Sequence, residues 1–132
     1  MAAKFAGTQA HRTRVWDRKA ESYAIILEAL HIMHETYLRW LKDEELRRET
    51  DEETDQSRRD EYRAALQRLK NTIAREAWLL PDQVQQQISA MERALDLRHD
   101  NWYERVDNGC AEIKTAITAL MRLARTDQLN HS

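Results

Sequence analysis

The amino-acid sequence predicts an all-α protein: an antiparallel, up-down-up-down four-helix bundle with a long first helix. Apolar residues recur at alternating spacings of three and four, which places them on one face of a helix. Only two glycines and one proline occur in 132 residues. Hydrophobic residues reach 42% and the net charge is only −2, a balance that argues against disorder. We therefore expect helix above about 75% and no strand.

Helix one is predicted to begin between Gln9 and Thr13 and to run to about Arg47. At 1.5 Å per residue it would be roughly 50 Å long. Ile26, Met33 and Trp40 widen its apolar face on one side. The centre of that face consists of eight residues in unbroken four–three spacing: Trp16, Ala20, Tyr23, Leu27, Leu30, His34, Tyr37 and Leu41.

Residues 49–57 hold no apolar side chain and form the first predicted link. Helix two is predicted to be capped by Thr54, Asp55 or Ser57 and to end before Pro81, which cannot donate a backbone hydrogen bond. Its apolar positions are Tyr62, Leu66, Leu69, Ile73, Ala77 and Leu80.

Helix three is predicted to start directly at Pro81, a preferred first residue. Its apolar positions are Val84, Ile88, Met91 and Leu95. A turn at residues 98–101 would follow, with Asp100 or Asn101 capping helix four and Glu104 completing a capping box. The alternative is one continuous rod made of helices three and four. Helix four presents Tyr103, Val106, Cys110, Ile113, Ile117, Leu120 and Ala124.

The chain is predicted to form one domain over residues 10–127, with a flexible leader at 1–9 and a disordered tail at 128–132. No apolar run approaches the ~20 residues that cross a bilayer. Cys110 is the only cysteine, so an intramolecular disulfide is impossible. These features favour a cytoplasmic location without membrane partners.

Helix one is longer than helix three, so part of its apolar face would lack an intrachain partner. We expect a non-enzymatic protein-interaction module (an accessory, adaptor or immunity-type subunit) that binds itself as a homodimer or an unknown protein. Antiparallel packing should bring Trp40 near Tyr62, Trp102 and Tyr103. The predicted interface residues are Trp16, Tyr23, Ile26, Met33, Tyr37 and Trp40.

His34 lies on the predicted apolar face and is a candidate pH-sensitive core residue. Glu28 and His31 have the Glu-x-x-His spacing of di-iron bundles. Glu28 lies on the outer side of its helix, and helices two and four offer no inward carboxylate. We expect no metal and no cofactor.

Arg93 and His99 are six residues apart, a spacing that loosely resembles the arginine–histidine signature of HEPN domains. That family consists of helical bundles of similar length, and several members are ribonucleases. The resemblance implies a nuclease whose catalytic residues would be Arg93 and His99. Ala94 follows the arginine here, where the family usually has a polar residue. Residues 1–19 carry five bases against one acid, which also permits nucleic acid as a partner.

Overall fold

Between residues 2 and 130 the protein forms four α-helices joined by short links. In a computed structural model, which describes the backbone of residues 2–130 and the side chains of residues 7–130, 85% is helical and these residues form no strand. The helices are α1 (Ala2–Glu45), α2 (Glu52–Arg75), α3 (Asp82–Leu95) and α4 (Trp102–Asn130). The predicted all-α bundle with a long first helix is confirmed.

Both ends of the bundle are more helical than expected. Helix α1 begins at Ala2 rather than between Gln9 and Thr13, because its first turns contain four alanines and no proline. Helix α4 continues to Asn130, three residues into the predicted tail. Positions 131–132 lie outside the described residues. The flexibility of the leader stays a prediction.

Helices α1 and α2 run antiparallel. Arg18, in the first half of α1, forms a 3.1 Å ion pair with Glu76, directly after α2. Further along α1, Arg39 lies 3.8 Å from Glu61 near the start of α2. The residue numbers rise along one helix and fall along the other, as antiparallel packing requires.

Helix α4 covers a second side of α1, again antiparallel. Tyr23 donates a 3.0 Å hydrogen bond to Asp127 near the end of α4. At the opposite end the rings of Trp40 and Trp102 are 5.6 Å apart. Helix α3 packs mainly along α4. Among the side chains of residues 7–130, twenty buried apolar ones from all four helices and the α2–α3 link form one core, with Ile26, Leu30, Met33, Leu69, Ile113 and Leu120 fully enclosed.

The buried face of α1 is rotated from the predicted one. Leu27, His34 and Leu41 are only half-buried, whereas Ile26 and Met33 are completely buried. Because α1 packs against both α2 and α4, its buried arc is wider than a single seam. Two of the three residues expected to widen the face, Ile26 and Met33, therefore lie at its centre.

Helix α1 ends in a Schellman motif whose C′ residue is Arg47, in the left-handed region at φ 52°. Its amide bonds to Glu44 O at 3.2 Å, and the Arg48 amide bonds to Asp43 O at 2.8 Å. Helix α2 is capped by Asp51, whose side chain accepts from the Thr54 amide at 2.7 Å. The expected caps Thr54, Asp55 and Ser57 were wrong because the helix starts one turn earlier.

Helix α2 ends at Arg75, before the predicted Leu80. Residues 76–80 form a turn in which Leu79 and Leu80 amides both bond to Glu76 O at 2.9 Å. Ala77 is exposed as a result, whereas Leu80 remains buried. Helix α3 begins at Asp82 with Pro81 as its N-cap, one residue later than the predicted start at Pro81.

Helices α3 and α4 are separate, which confirms the predicted break and excludes the continuous rod. Asn101 Oδ1 accepts from the Glu104 amide at 2.8 Å, the expected cap of α4. The carboxylate of Glu104 reaches back to the Asp100 amide at 3.4 Å. The capping box therefore closes one residue earlier than predicted.

Candidate functional site

The apolar face of α1, where the interface was predicted, is mostly occupied by the protein's own core. Tyr23, Ile26, Met33 and Tyr37 are all at most 7% exposed, so they cannot contact a partner in the folded chain. Trp16 and Trp40 are half-buried. The prediction was wrong for those four because α4, at 29 residues, covers the length that α3 leaves free.

An aromatic cluster lies at the end of the bundle that carries the α1–α2 and α3–α4 links, hereafter the link end. Trp40 is its centre, with ring centroids 5.4 Å from Tyr37, 6.2 Å from Tyr62 and 5.6 Å from Trp102. The predicted approach of Trp40 to Tyr62 and Trp102 is thus confirmed. Trp102 is 44% exposed and Tyr103 45%, which leaves aromatic surface available to a ligand.

An open cleft of about 590 Å³ lies beside this cluster. We call it the link-end cleft. It combines two tryptophans with five acidic and two basic side chains, and its lining consists of Trp40, Asp43, Glu44, Arg48, Glu49, Thr50, Glu52, Asp55, Arg59 and Trp102.

Two of the five acids are neutralised within the fold. Asp43 accepts from Arg58 and, at 2.9 Å, from Thr50, and the guanidinium of Arg58 holds the pKa of this carboxyl below its usual value. Asp55 accepts from Trp40 Nε1 at 3.2 Å and pairs with Arg59 at 2.8 Å. These contacts fix the cleft wall and the orientation of the Trp40 indole.

The other three acids of the cleft are uncompensated. Glu44, Glu49 and Glu52 are exposed and form no ion pair with any residue that the structure describes. Carboxylates beside an exposed indole face are a suitable environment for a cationic side chain, which gains both Coulomb attraction and cation–π contact. The cleft can therefore attract a cation without displacing an internal arginine.

The opposite end of the bundle is held together by buried carboxylates. Glu76 receives two contacts from the Arg18 guanidinium, at 3.1 and 3.3 Å, and Arg18 lowers its pKa. Trp78, which is 70% exposed, lies 5.1 Å from the same guanidinium. Asp127 accepts from Lys19 at 2.9 Å as well as from Tyr23. Polar contacts therefore tie α1 to α2 and α4 at this end.

Beyond these contacts α1 continues with exposed side chains over its described residues. Its residues 2–14, hereafter the α1 projection, extend past the ends of α2 and α4, and residues 7–14 are all exposed. A side chain built at Gly7 would meet no atom within 4 Å. Arg12 and Arg14 are on this projection and form no ion pair with the described residues.

His34 is half-buried at the margin of the core, not at its centre. Burial lowers the pKa of its imidazole, and the nearby charges of His31 and Lys114 lower it further. Glu35 acts in the opposite direction and is the smallest of these influences. His34 is thus only partly buried, at the edge of the core rather than in the middle of the apolar face where the sequence placed it.

The predicted catalytic pair is not joined in the fold. Arg93 is exposed on the last turn of α3, and His99 lies in the α3–α4 link with its Nδ1 3.2 Å from Asn108 Nδ2. No hydrogen bond connects Arg93 to His99 within residues 7–130.

The Glu28–His31 pair faces solvent, where Glu28 lies 3.7 Å from Arg68. Over the described residues, no group of three potential ligands could hold a metal ion. Cys110 is buried in the core, and burial, with smaller effects of Asp107 and Glu45, raises the pKa of its thiol to about 11. The thiol is therefore protonated at neutral pH and is not a nucleophile.

Comparison with known proteins identifies no relative: no family model matches the chain, and neither a curated protein nor a solved structure is similar to it. A search of the described helices for one long and apolar enough to span a membrane finds none. What the structure itself defines is an all-α bundle with an acidic aromatic cleft at one end and a basic helical projection at the other.

Proposed function

We propose that this chain is a non-enzymatic protein-interaction module that binds a basic helical segment at the link-end cleft. The observation that carries the proposal is the presence of three uncompensated carboxylates beside the exposed face of Trp102. We place the binding site at this cleft rather than on the apolar face of α1, because four of the six predicted interface residues are buried in the core. A cytoplasmic location belongs to this proposal and is supported by the single, buried cysteine.

The chemistry of the cleft favours a cationic partner over an apolar one. Its lining has a surplus of carboxylates, and its aromatic surface is limited to two tryptophans. Arginine and lysine side chains can place their charge over an indole face while their stems cover apolar surface. Exposed Leu46 and Leu97, which lie in or beside the same links, offer further apolar contacts for such stems.

A peptide of stated composition tests this proposal. We expect an alanine-based helical peptide of about 20 residues with arginines along one face to bind the full chain, and its glutamate counterpart to bind far more weakly. Calorimetry measures both affinities. Replacement of Trp102 by alanine should weaken binding of the arginine peptide roughly twofold to thirtyfold, since a cation–π contact contributes about 0.5–2 kcal/mol.

Trp78→Ala is the matched control, because Trp78 is an exposed tryptophan at the opposite end. It should leave peptide affinity unchanged. Glu49→Gln combined with Glu52→Gln, at exposed positions that contribute little to folding, should also weaken binding. Equal affinity for the two peptides, or equal effects of Trp102→Ala and Trp78→Ala, would contradict the proposal.

A further inference from the structure

The two ends of the molecule carry complementary charges that the fold leaves unpaired. Arg12 and Arg14 project from α1 at one end, and Glu44, Glu49 and Glu52 surround the cleft at the other. Neither set can reach the other within one molecule, because α1 itself separates them. Each set therefore remains available to a second molecule.

The α1 projection is a basic helical segment, the kind of ligand proposed for the link-end cleft. Residues 2–14 are a continuous helix, about 20 Å long at 1.5 Å per residue, and no other helix covers its described side chains. His11 and Arg14 are three residues apart and share one face of it, which continues towards Arg18. The projection is thus helical before a partner binds, so binding does not include the entropic cost of ordering it.

We propose that the natural occupant of the link-end cleft is the α1 projection of a second copy of this chain. This inference rests on the proposed function, because it names the partner for the same cleft. Arg14 of one copy, on the face that it shares with His11, pairs with the free carboxylates of the next, and Trp102 supplies an aromatic surface for its guanidinium. Arg12, on the other side of the helix, adds to the positive charge that attracts the cleft.

The position of the two surfaces determines the kind of assembly. They are different surfaces at opposite ends, so the contact is head-to-tail rather than two-fold symmetric. Each bound copy presents a free cleft and a free projection, and association continues unless the rotation closes a ring. We therefore expect a concentration-dependent series of masses in place of the single homodimer that the sequence suggested.

Charge reversal on the full chain tests the contact. The projection variant is Arg12→Glu with Arg14→Glu, and the cleft variant is Glu49→Arg with Glu52→Arg. Sedimentation velocity of the unmodified chain at about 50 mM salt should show association that is lost near 500 mM, because exposed charges are screened. Each reversed variant alone should associate about tenfold or more weakly, since like charges then meet.

Mixing the two reversed variants should restore association, because the projection of each complements the cleft of the other. The substitution Arg12→Lys with Arg14→Lys keeps the charge and should retain association, and circular dichroism verifies that all variants remain helical. Failure of the mixture to associate, or equal association by all variants, would overturn the proposal.

The remaining outcomes separate this inference from the proposed function. A 15.7 kDa monomer at every salt concentration, together with binding of the arginine peptide, would overturn the second copy as occupant but leave the cleft as a binding site. A monomer that also fails to bind the peptide would refute both. If the chain does not self-associate but binds a short single-stranded RNA through Arg12 and Arg14, the self-association inference would be overturned and nucleic acid would be the partner of the projection.

Discussion

Gly109 allows the ring of Tyr37 to lie directly against the backbone of α4. A Cβ at this position would be 2.6 Å from Tyr37 Cδ1 and closer still to Cε1. Tyr37 is 7% exposed and is held by Trp40 and Tyr62, so its ring has little room to move away. Glycine is required here for the close approach of two helices and not for an unusual backbone angle.

Replacement of Gly109 by alanine should destabilise the protein by about 1–2 kcal/mol. Overpacking of a core costs about 1–3 kcal/mol. The better helix propensity of alanine offsets up to about 1 kcal/mol of this loss. Urea denaturation followed by circular dichroism measures the difference.

Gly7→Ala is the control, because that helical position has open space and should show no loss. In a Tyr37→Leu background, Gly109→Ala should become nearly neutral, and a double-mutant cycle isolates this coupling. An equal loss with and without the Tyr37 ring would show that the ring is not the cause.

His34 should make the stability of the protein depend on pH near neutrality. Burial lowers its folded-state pKa below the unfolded value of about 6.5, so the unfolded chain binds a proton more readily. Its contribution is fully present above pH 6.5 and is lost as the pH falls through the folded-state pKa. His34→Gln should therefore flatten the decline in unfolding free energy between about pH 7 and 5.

His31→Gln provides a comparison at an exposed position of the same helix. It should leave most of the decline in place, because burial is the largest cause of the His34 shift and His31 contributes less. An identical pH profile for the His34→Gln variant and the unmodified chain would contradict the prediction.

Arg47 strains the end of helix α1. Its φ of 52° lies in the left-handed region, where a side chain costs roughly 1–2 kcal/mol. Arg47→Gly should stabilise the protein by up to about 1 kcal/mol, because glycine adopts this conformation freely but loses more chain entropy on folding. Arg47→Ala removes the charge without relieving the backbone and should give no gain. Thermal unfolding of the two variants compares them directly, and equal melting temperatures would refute backbone strain as the cause.

The helices themselves could be predicted from the sequence, because apolar spacing and the scarcity of glycine and proline act locally. Pro81 and the Asn101 cap also act locally, so two of the three links could be predicted from them. The orientation of α1 could not be predicted, since it depends on packing against two helices at once. Three buried hydroxyls also escaped prediction: those of Ser22, Thr36 and Thr72, which each donate to the carbonyl four residues earlier.

Of the candidate site, the approach of Trp40 to Tyr62 and Trp102 followed from antiparallel helices with short links. The cleft beside them did not, because its shape depends on the turn at Arg47 and the cap at Asp51. Sequence spacing also could not show which acids would be neutralised. That depends on cross-helix partners such as Arg58 for Asp43.

At the scale of the whole molecule, charge is distributed along the longest axis. The acidic link-end cleft and the basic projection lie at opposite ends of a helix of 44 residues. Net charge is only −2, so the molecule is nearly neutral as a whole but strongly polar along α1. Such a distribution guides approach end to end and disfavours parallel side-by-side contact between copies, in which like charges would meet.

The burial of Cys110 has a practical consequence for following the motion of this bundle. A protonated thiol enclosed by the core reacts with a disulfide reagent only during moments when α4 separates from its neighbours. The chain has no other cysteine, so the rate of that reaction reports the frequency or the population of opening without any introduced label. Cys110 is thus a natural chemical probe of the transient opening of α4, and it reports openings that are too rare to detect by spectroscopy.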